Sequence, residues 1–178
     1  MIETERLVLR HWTLGDAERL FMLASDPLVG PACGWAPHRT VEESRALIAE
    51  GPLGKAESYA IHLKPTGRII GSISLKDAVE DFDIAAQGDL EVGYWLGSDY
   101  WGQGFASEAL DAMVRRAFCD LGRDVVWCGF FEGNERSRRC MEKRGFTFVK
   151  SVAAFERPSL GDTAKAYYYR LEATPTLG

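Results

Sequence analysis

Residues 100–108 read YWGQGFASE, a glycine-rich turn that joins an apolar, strand-like run at residues 90–96 to a strongly amphipathic helix. Gly102 and Gly104 have no side chain and Ala106 has only a methyl group, so a ligand can approach the backbone closely there. The first N–H groups of a helix lack intrahelical partners, and the helix dipole places partial positive charge at the same point. The turn is therefore predicted to bind an anion, above all phosphate, although it lacks the glycine spacings of the usual dinucleotide and triphosphate sites.

A second informative block lies further along the chain and reads NERSRRCMEKRGF at residues 134–146. Asn134 follows a predicted strand and is suited to cap the next helix, because its side chain can accept a hydrogen bond from a backbone N–H group of the first turn. Gly145 is suited to end the same helix. The block therefore predicts a short, strongly basic helix.

Together the two blocks resemble the GNAT superfamily of acetyl-CoA-dependent N-acetyltransferases. The first is similar to the acetyl-CoA pyrophosphate loop, Q/R-x-x-G-x-G/A, and the second to the downstream N-x-x-S…E-K-x-G-F element. The segments TERLVLR (residues 4–10), TGRIIG (66–71) and LEVGYWL (90–96) resemble the ribosomal-protein N-terminal acetyltransferase (RimJ/RimL-type) branch. The resemblance extends from Glu3 to about Leu171.

This resemblance implies an α+β GNAT fold, with a central mixed, mostly antiparallel sheet and helices on both faces, and acetyl-CoA as cosubstrate without a metal. Trp101 stands at the Q/R position of the loop. That substitution is common in the branch and is compatible with binding by the backbone. The residues implied as acetyl-CoA contacts, the first three through their backbone, are Tyr94, Trp95, Leu96, Trp101, Gly102, Gln103, Gly104, Phe105, Ala106, Ser107, Asn134, Ser137, Arg138 and Arg139.

Attack of an amine on a thioester needs a base, because an ammonium group has no lone pair. Glu91 is the one acid inside the apolar run, where burial favours proton uptake, and period two places it with Gly93 and Trp95 on one face of the strand. Resemblance to the branch favours Glu91 over Asp89 as the catalytic base near the acceptor amine. The alternative is a structural carboxylate paired with an arginine such as Arg68.

The leaving thiolate raises a separate question. Many GNAT enzymes protonate it with a tyrosine four positions after Ser137, but this chain has Met141 there, which has no proton to donate. Resemblance to the ribosomal-protein branch assigns the role to Ser137. Solvent is the alternative, since a thiol with a pKa of about 8.5 leaves as thiolate without much help.

Length and composition favour a single domain. A chain of 178 residues, 46% of them hydrophobic, can bury one substantial core, so we expect one domain over residues 1–172 and a flexible tail at 173–178. No apolar run approaches the length of a membrane span and no leader is recognisable, which favours a cytoplasmic protein without a membrane partner. The cysteines form no C-x-x-C pair and the histidines no H-E-x-x-H, which argues against a zinc site.

Hydrophobic periodicity predicts the order of elements. The predicted strands are 7–12, 59–63, 68–75, 90–96, 125–130, 146–155 and 164–171, and the predicted helices are 16–25, 40–50, 105–118 and 134–145. Residues 27–39, with three prolines and two glycines, are predicted to form a loop. Within the 68–75 strand, Ile69, Gly71, Ile73 and Leu75 are predicted to share one face.

Charge is distributed unevenly along the chain. Residues 76–91 carry six acids and one base, whereas residues 134–150 carry six bases and two acids. The basic helix is expected to bind the 3′-phosphate of CoA and the acidic loop to attract a cationic amine; the alternative for each is a solvated face. A net charge of −5 argues against nucleic acid as a partner.

The acceptor is expected to be a primary amine, and the resemblance favours a protein N-terminus. The alternatives are a small amine, such as a polyamine, an aminoglycoside or an amino-acid derivative, and an acyl-CoA-binding module without turnover. Residues 27–39 and 156–163 are expected to line the acceptor pocket. Trp35 is the candidate stacking surface there, or else a loop aromatic that covers the core. Both a monomer and a homodimer are compatible with the sequence.

Overall fold

The protein is built around one eight-stranded sheet in the structure, a computed structural model that describes residues 1–78 and 84–174. The strands are β1 (Ile2–Glu3), β2 (Leu7–His11), β3 (Ser58–Leu63), β4 (Arg68–Asp77), β5 (Leu90–Leu96), β6 (Val125–Phe131), β7 (Thr147–Arg157) and β8 (Asp162–Glu172). The helices are α1 (Ala17–Ala24), α2 (Gly30–Cys33), α3 (Val41–Ala49), α4 (Phe105–Arg115) and α5 (Glu135–Glu142). The strand order is β1-β2-β3-β4-β5-β6-β8-β7.

Helices cover both faces of this sheet. On one face, Leu110 and Met113 of α4 are fully buried against apolar residues of β2 to β5. On the other, Leu20 of α1 and Ile48 of α3 pack against Ala60 of β3. All neighbouring strands are antiparallel except β5 and β6. The predicted fold, a mixed and mostly antiparallel sheet with helices on both faces, is confirmed.

Two of the predicted helix caps are present. The Thr40 hydroxyl accepts a hydrogen bond from the Glu43 N–H group at 3.1 Å, and the Asn134 side chain accepts one from the Ser137 N–H group at 3.3 Å. Gly145 follows α5 with a φ of +84°, as a residue that ends a helix commonly does. Among the residues that the structure describes, no helix combines the length and the hydropathy that crossing a bilayer requires.

The predicted alternation along β4 is wrong at one residue. The pairing of β3 with β4 skips Ile70, which makes Ile70 an extra residue, a β-bulge. Ile70 therefore packs in the same cluster as Ile73 and Leu75, whereas Ile69 packs in the cluster on the opposite face. A bulge reverses the two-residue alternation, and the apolar residues on either side of it conceal the reversal in the sequence.

Residues 27–39 are not a loop throughout, because they contain the short helix α2. Pro31 lies in its first turn, where the missing N–H group costs no hydrogen bond. Gly34 ends it at a φ of +89°. Part of the predicted acidic loop, Glu80, Asp81 and Asp83, and residues 175–178 of the predicted tail lie outside the described residues.

The parallel strands β5 and β6 stay together only briefly. They pair at Leu90 with Val126 and at Glu91 with Trp127, and at no described residue beyond. Strand β5 continues to pair with β4 as far as Leu96. Over residues 92–96 the edge of β5 that faces β6 therefore has no strand partner, and the backbone N–H groups of Val92, Tyr94 and Leu96, which alternate toward this edge, are available to a ligand.

Candidate active site

A cavity of about 430 Å³ lies beside this free edge of β5, where α4 and α5 begin. It brings together the two sequence blocks that were predicted to bind acetyl-CoA, and all but two of the predicted contacts line it. Those that do are residues 94–96, 101–102 and 104–107 with Asn134, Ser137 and Arg139. Gln103 and Arg138 do not.

The glycine-rich turn presents unpaired backbone donors to the cavity. Gly102 and Gly104 adopt φ angles of +75° and +81°, which L side chains rarely tolerate. The first intrahelical bond of α4 runs from the Glu108 N–H group to the Gly104 carbonyl. The three N–H groups of residues 105–107 therefore have no partner within the helix, and no side chain caps this end. Such an end binds anions.

Arg6 and Glu108 hold the turn in place. The Arg6 guanidinium donates to the Gln103 carbonyl at 2.9 Å and pairs with the Glu108 carboxylate at 2.7 Å. Burial opposes ionisation of Glu108, but hydrogen bonds from Thr4 and Arg6 outweigh it and lower the pKa of the carboxyl group. Gln103 points away from the cavity and donates to the Asp99 carbonyl at 2.9 Å. The conformation of the glycine-rich turn is thus held by contacts within the protein itself.

The basic helix α5 divides its charges between two faces. Arg136, Arg139 and Lys143 recur three and four residues apart and line the cavity. Arg138 lies on the other side of the helix, where it pairs with Glu135 at 2.6 Å and with Glu142 at 3.2 Å. Arg138, predicted as an acetyl-CoA contact, is thus placed in the exposed face. Arg136 and Lys143 were missed, although their spacing from Arg139 was readable in the sequence.

Trp101 positions one of these cations. The guanidinium carbon of Arg136 lies 3.8 Å from the centroid of the Trp101 ring, within the range of a cation–π interaction. The Trp101 indole N–H group donates to the Leu96 carbonyl at 2.9 Å. Trp101 therefore links the end of β5, the glycine-rich turn and a cation of α5.

Helix α2 supplies a wall of the cavity that the sequence did not reveal. Ala32 and Cys33 line it, and the Asn134 amide donates to the Ala32 carbonyl at 3.2 Å. Asn134 thus caps α5 and tethers α2 with the same side chain. Burial raises the pKa of the Cys33 thiol to about 12, against the opposing charge of Arg136, so this thiol stays protonated. The tether holds α2 against the cavity, which Val29 also lines.

Glu91 lies at the last point where β5 and β6 pair, outside the cavity lining. Its side chain is 14% exposed, and its carboxylate lies 3.2 Å from the ammonium of Lys76, its cross-strand neighbour. Lys76, and not the predicted Arg68, is therefore the basic partner. Burial raises the pKa of the Cys128 thiol, and the nearby charge of Glu91 raises it further.

The predicted acceptor residue Trp35 and the other candidate carboxylate, Asp89, are held by contacts within the fold. The Trp35 ring meets the Trp95 ring edge to face, with centroids 5.6 Å apart, and packs against the cluster beneath α1 and α3. Trp35 does not line the cavity. The Asp89 carboxylate accepts a hydrogen bond from the Trp127 indole N–H group at 2.7 Å, so Asp89 has a structural role.

Known proteins share this architecture. The family model for the acetyltransferase (GNAT) domain matches residues 6–147. The uncharacterized N-acetyltransferase p20 of Bacillus licheniformis is 34% identical over 127 residues, which cover 69% of this chain and 68% of p20. The uncharacterized N-acetyltransferase YoaA of Bacillus subtilis (strain 168) is 29% identical over 150 residues, 82% of each chain.

Solved structures agree on the fold. A GNAT-family acetyltransferase from Bacillus anthracis superposes with a TM-score of 0.82 at 23% identity, covering 96% of this chain and 97% of the other. Two Vibrio cholerae structures are also similar. One is assigned as a ribosomal-protein-serine acetyltransferase (TM-score 0.75, 21% identity, 97% of each chain). The other is spermidine N-acetyltransferase in complex with CoA and spermine (TM-score 0.76, 18% identity, 95% of this chain and 96% of the other).

The family match spans most of the chain and includes the glycine-rich turn, the diverging strands and α5. It agrees with the cavity, which is lined by the start of α4 and by the cations Arg136, Arg139 and Lys143. The chain therefore belongs to the GNAT family of acetyltransferases.

Proposed function

We propose that this enzyme transfers the acetyl group of acetyl-CoA to the α-amino group of a protein N-terminus, by direct attack within a ternary complex. The observation that supports acetyl-CoA most strongly is the composition of the cavity wall. Three helix N–H groups without intrahelical partners face three cationic side chains, Arg136, Arg139 and Lys143, across the same cavity. That arrangement fits a ligand with a pyrophosphate and a further phosphate group.

The proposed reaction takes place at the free edge of β5. Acetyl-CoA would supply the activated thioester, and the backbone N–H groups of Tyr94 and Leu96 are the candidate donors to its pantetheine arm and acetyl carbonyl. The N–H group of Trp95, predicted with them, points instead to its partner Ser72 on β4, because alternate residues of a strand direct their backbone groups to opposite edges. Tyr94 and Leu96 lie on the α4 side of the sheet, whereas Glu91 and Trp95 take the opposite face. The acceptor amine would therefore approach from the Glu91 face.

Glu91 is the proposed base on that face. The neighbouring Lys76 ammonium favours the ionised carboxylate, which is the form that can accept a proton from the acceptor ammonium. Ser137, in the wall of the cavity, is the proposed donor to the leaving thiolate. No metal is assigned a step, since these side chains account for both proton-handling roles.

The choice of acceptor rests on the sequence segments that resemble the ribosomal-protein branch, and one structural neighbour carries the corresponding name. A small amine is the second candidate, because another neighbour is a spermidine N-acetyltransferase bound to spermine. The aromatic pair Trp35 and Trp95, of which Trp95 lies on the same face of β5 as Glu91, would suit a cationic group of either acceptor.

An acceptor panel separates these candidates. Release of CoA thiol from acetyl-CoA should be measured with peptides bearing a free N-terminus, the same peptides with a blocked N-terminus, spermidine, an aminoglycoside and free amino acids. We expect turnover and a one-acetyl mass increase only for peptides with a free N-terminus. Turnover with spermidine and none with peptides would instead assign the small-amine function.

The cations of α5 give a prediction with an internal control. Replacing both Arg139 and Lys143 by Ala should weaken the binding of CoA by about tenfold or more. The binding of 3′-dephospho-CoA should weaken by less, because this ligand lacks the 3′-phosphate with which these cations would pair. Arg138→Ala should change neither affinity, since Arg138 pairs with Glu135 and Glu142 outside the cavity.

The dissociation constants of both ligands should be measured by titration calorimetry for wild type and each variant. Equal losses of affinity for CoA and 3′-dephospho-CoA would show that the 3′-phosphate does not bind to Arg139 and Lys143. A loss in Arg138→Ala as large as in the double variant would show that the helix acts through its overall charge.

A further inference from the structure

Two hydroxyl groups from different elements meet in the wall of the cavity. The phenol oxygen of Tyr94, on β5, lies 3.0 Å from the hydroxyl oxygen of Ser137, on α5, and both residues line the cavity. Cys140, one turn further along α5, lines it as well, with its sulfur 3.3 Å from the Ser107 hydroxyl. The backbone of Tyr94 lies at the free edge of β5. Its side chain reaches the one hydroxyl proposed to face the leaving thiolate.

The direction of this hydrogen bond follows from acidity. A phenol is a much stronger acid than an alkyl alcohol, so we assign Tyr94 as the donor. It has two acceptors on Ser137, the hydroxyl oxygen at 3.0 Å and the carbonyl oxygen at 3.5 Å, and the shorter contact is the stronger one. A serine hydroxyl has only one proton. Once its oxygen accepts from Tyr94, that proton is free to point into the cavity.

The surroundings of Tyr94 keep its proton in place. Burial raises the pKa of the phenol well above its ordinary value and outweighs the hydrogen bond with Ser137, which lowers it. The charged cavity residues on α5 are Arg136 and Arg139, and Lys143 at its C-terminal cap also lines the cavity. The phenol therefore remains a neutral donor at the pH at which the amine reacts, and does not give up its proton itself.

We propose that Tyr94 is a positioning residue, whose phenol donates to the Ser137 oxygen and so directs the Ser137 hydroxyl at the sulfur atom of CoA. The inference rests on the role proposed above for Ser137. As the carbon–sulfur bond breaks, its electron pair moves onto sulfur, and the Ser137 hydroxyl stabilises that charge by a hydrogen bond. No proton leaves Tyr94. Met141, which is fully buried in the core, has no proton to contribute.

The acidity of bound CoA tests this directly, without turnover. A hydrogen bond donated to a thiolate favours the charged form and lowers the pKa of the thiol, so losing the donor or its orientation raises it. The pKa of CoA bound to the enzyme can be measured from the ultraviolet absorbance of the thiolate, with the titration of the ligand-free enzyme subtracted to remove its cysteines. We expect an increase of about one pH unit in Tyr94→Phe and in Ser137→Ala.

The two substitutions should not add. If Tyr94 acts only through Ser137, the double variant should show the same thiol pKa as Ser137→Ala alone. In turnover, kcat should fall about tenfold in Tyr94→Phe while the dissociation constant of acetyl-CoA stays within twofold. Tyr167→Phe is the matched control, because its hydroxyl bonds Glu132 and the residue does not line the cavity.

Three results would overturn the inference. A raised thiol pKa in Ser137→Ala but not in Tyr94→Phe would leave Ser137 in its role and remove Tyr94 from it. An unchanged thiol pKa in both variants would show that neither residue acts on the sulfur atom. Acetyl transfer by the wild type, and with it the proposed function, would not be affected by that result. Weaker acetyl-CoA binding and a lower melting temperature in Tyr94→Phe, with the thiol pKa unchanged, would assign the phenol to stability alone.

Discussion

Glu91→Gln is expected to lower kcat by about 10²- to 10⁴-fold at neutral pH, while the KM for acetyl-CoA changes by no more than a few-fold. The amide keeps the shape of the side chain and can still form hydrogen bonds, but it cannot accept a proton. Acetyl-CoA binding should be almost unaffected, because Glu91 lies outside the lining of the cavity. Initial rates against both substrates separate these quantities.

The defect should shrink as the pH rises. An acceptor amine becomes neutral near its own pKa, about 7.7 to 8.0 for an α-amino group and about 10.4 for a lysine-like amine, and then needs no base. Rescue of Glu91→Gln should therefore begin about two pH units earlier for a protein N-terminus than for a lysine-like acceptor. The pH profile of the variant thus reports on the acceptor class independently of the panel of amines.

Asp77→Asn provides the matched control, because Asp77 is an exposed carboxylate on the adjacent strand, paired in register with Leu90. It should retain wild-type turnover. Wild-type turnover in Glu91→Gln at pH 7 would instead assign Glu91 a purely structural role in its ion pair with Lys76. An ion pair at a partly exposed site stabilises the fold by about 1 kcal/mol or less. A uniform loss at every pH would indicate lost positioning of the acceptor.

Gly104→Val should weaken acetyl-CoA binding at least tenfold, or by about 1.4 kcal/mol, without unfolding the protein. Gly104 has a φ of +81°, which a branched side chain tolerates poorly. A Cβ atom there would also lie 3.3 Å from an Arg6 guanidinium nitrogen, which braces the turn. The new side chain would stand at the mouth of the helix N-terminus, where a phosphate must approach the backbone.

A substitution at another glycine with positive φ, far from the cavity, separates the effect of backbone strain on stability from the loss of ligand binding. Gly67 has a φ of +64° in the β3–β4 turn, and a Cβ atom there would meet no described atom within 4 Å. Gly67→Val should therefore lose stability but retain acetyl-CoA affinity. Titration calorimetry and melting curves with and without acetyl-CoA measure both effects. Undiminished stabilisation of Gly104→Val by acetyl-CoA would exclude the turn as the phosphate site.

The parts of this protein that were predictable are governed by local rules. Helix α4 follows from the spacing of its apolar residues, and the caps of α3 and α5 follow from Thr40 and Asn134, whose side chains satisfy N–H groups only a few residues away. The glycine-rich turn belongs to the same class, because positive φ angles at Gly102 and Gly104 depend on residue type. Most residues that line the cavity could therefore be predicted from the sequence.

The missed features depend on contacts between distant parts of the chain. Helix α2 lies against the cavity because Asn134 and Arg157 donate to its Ala32 and Pro31 carbonyls, and neither bond is visible from residues 27–39 alone. The β-bulge at Ile70 exists only in the pairing of β4 with β3. Register between strands is set by the packing of whole faces, so a single strand does not disclose it.

The sequence by itself determined the family, the order of most strands and helices, and the position of a glycine-rich turn before α4 and of a basic helix further along the chain, because each follows from residue type, spacing and periodicity within a short segment. Only the tertiary structure decided which charges serve the cavity. Helix phase directs Arg136, Arg139 and Lys143 inward and leaves Arg138 to Glu135 and Glu142. The divergence of β5 from β6 likewise places Glu91 at the junction and opens the backbone beyond it, since strand pairing joins residues far apart in the chain.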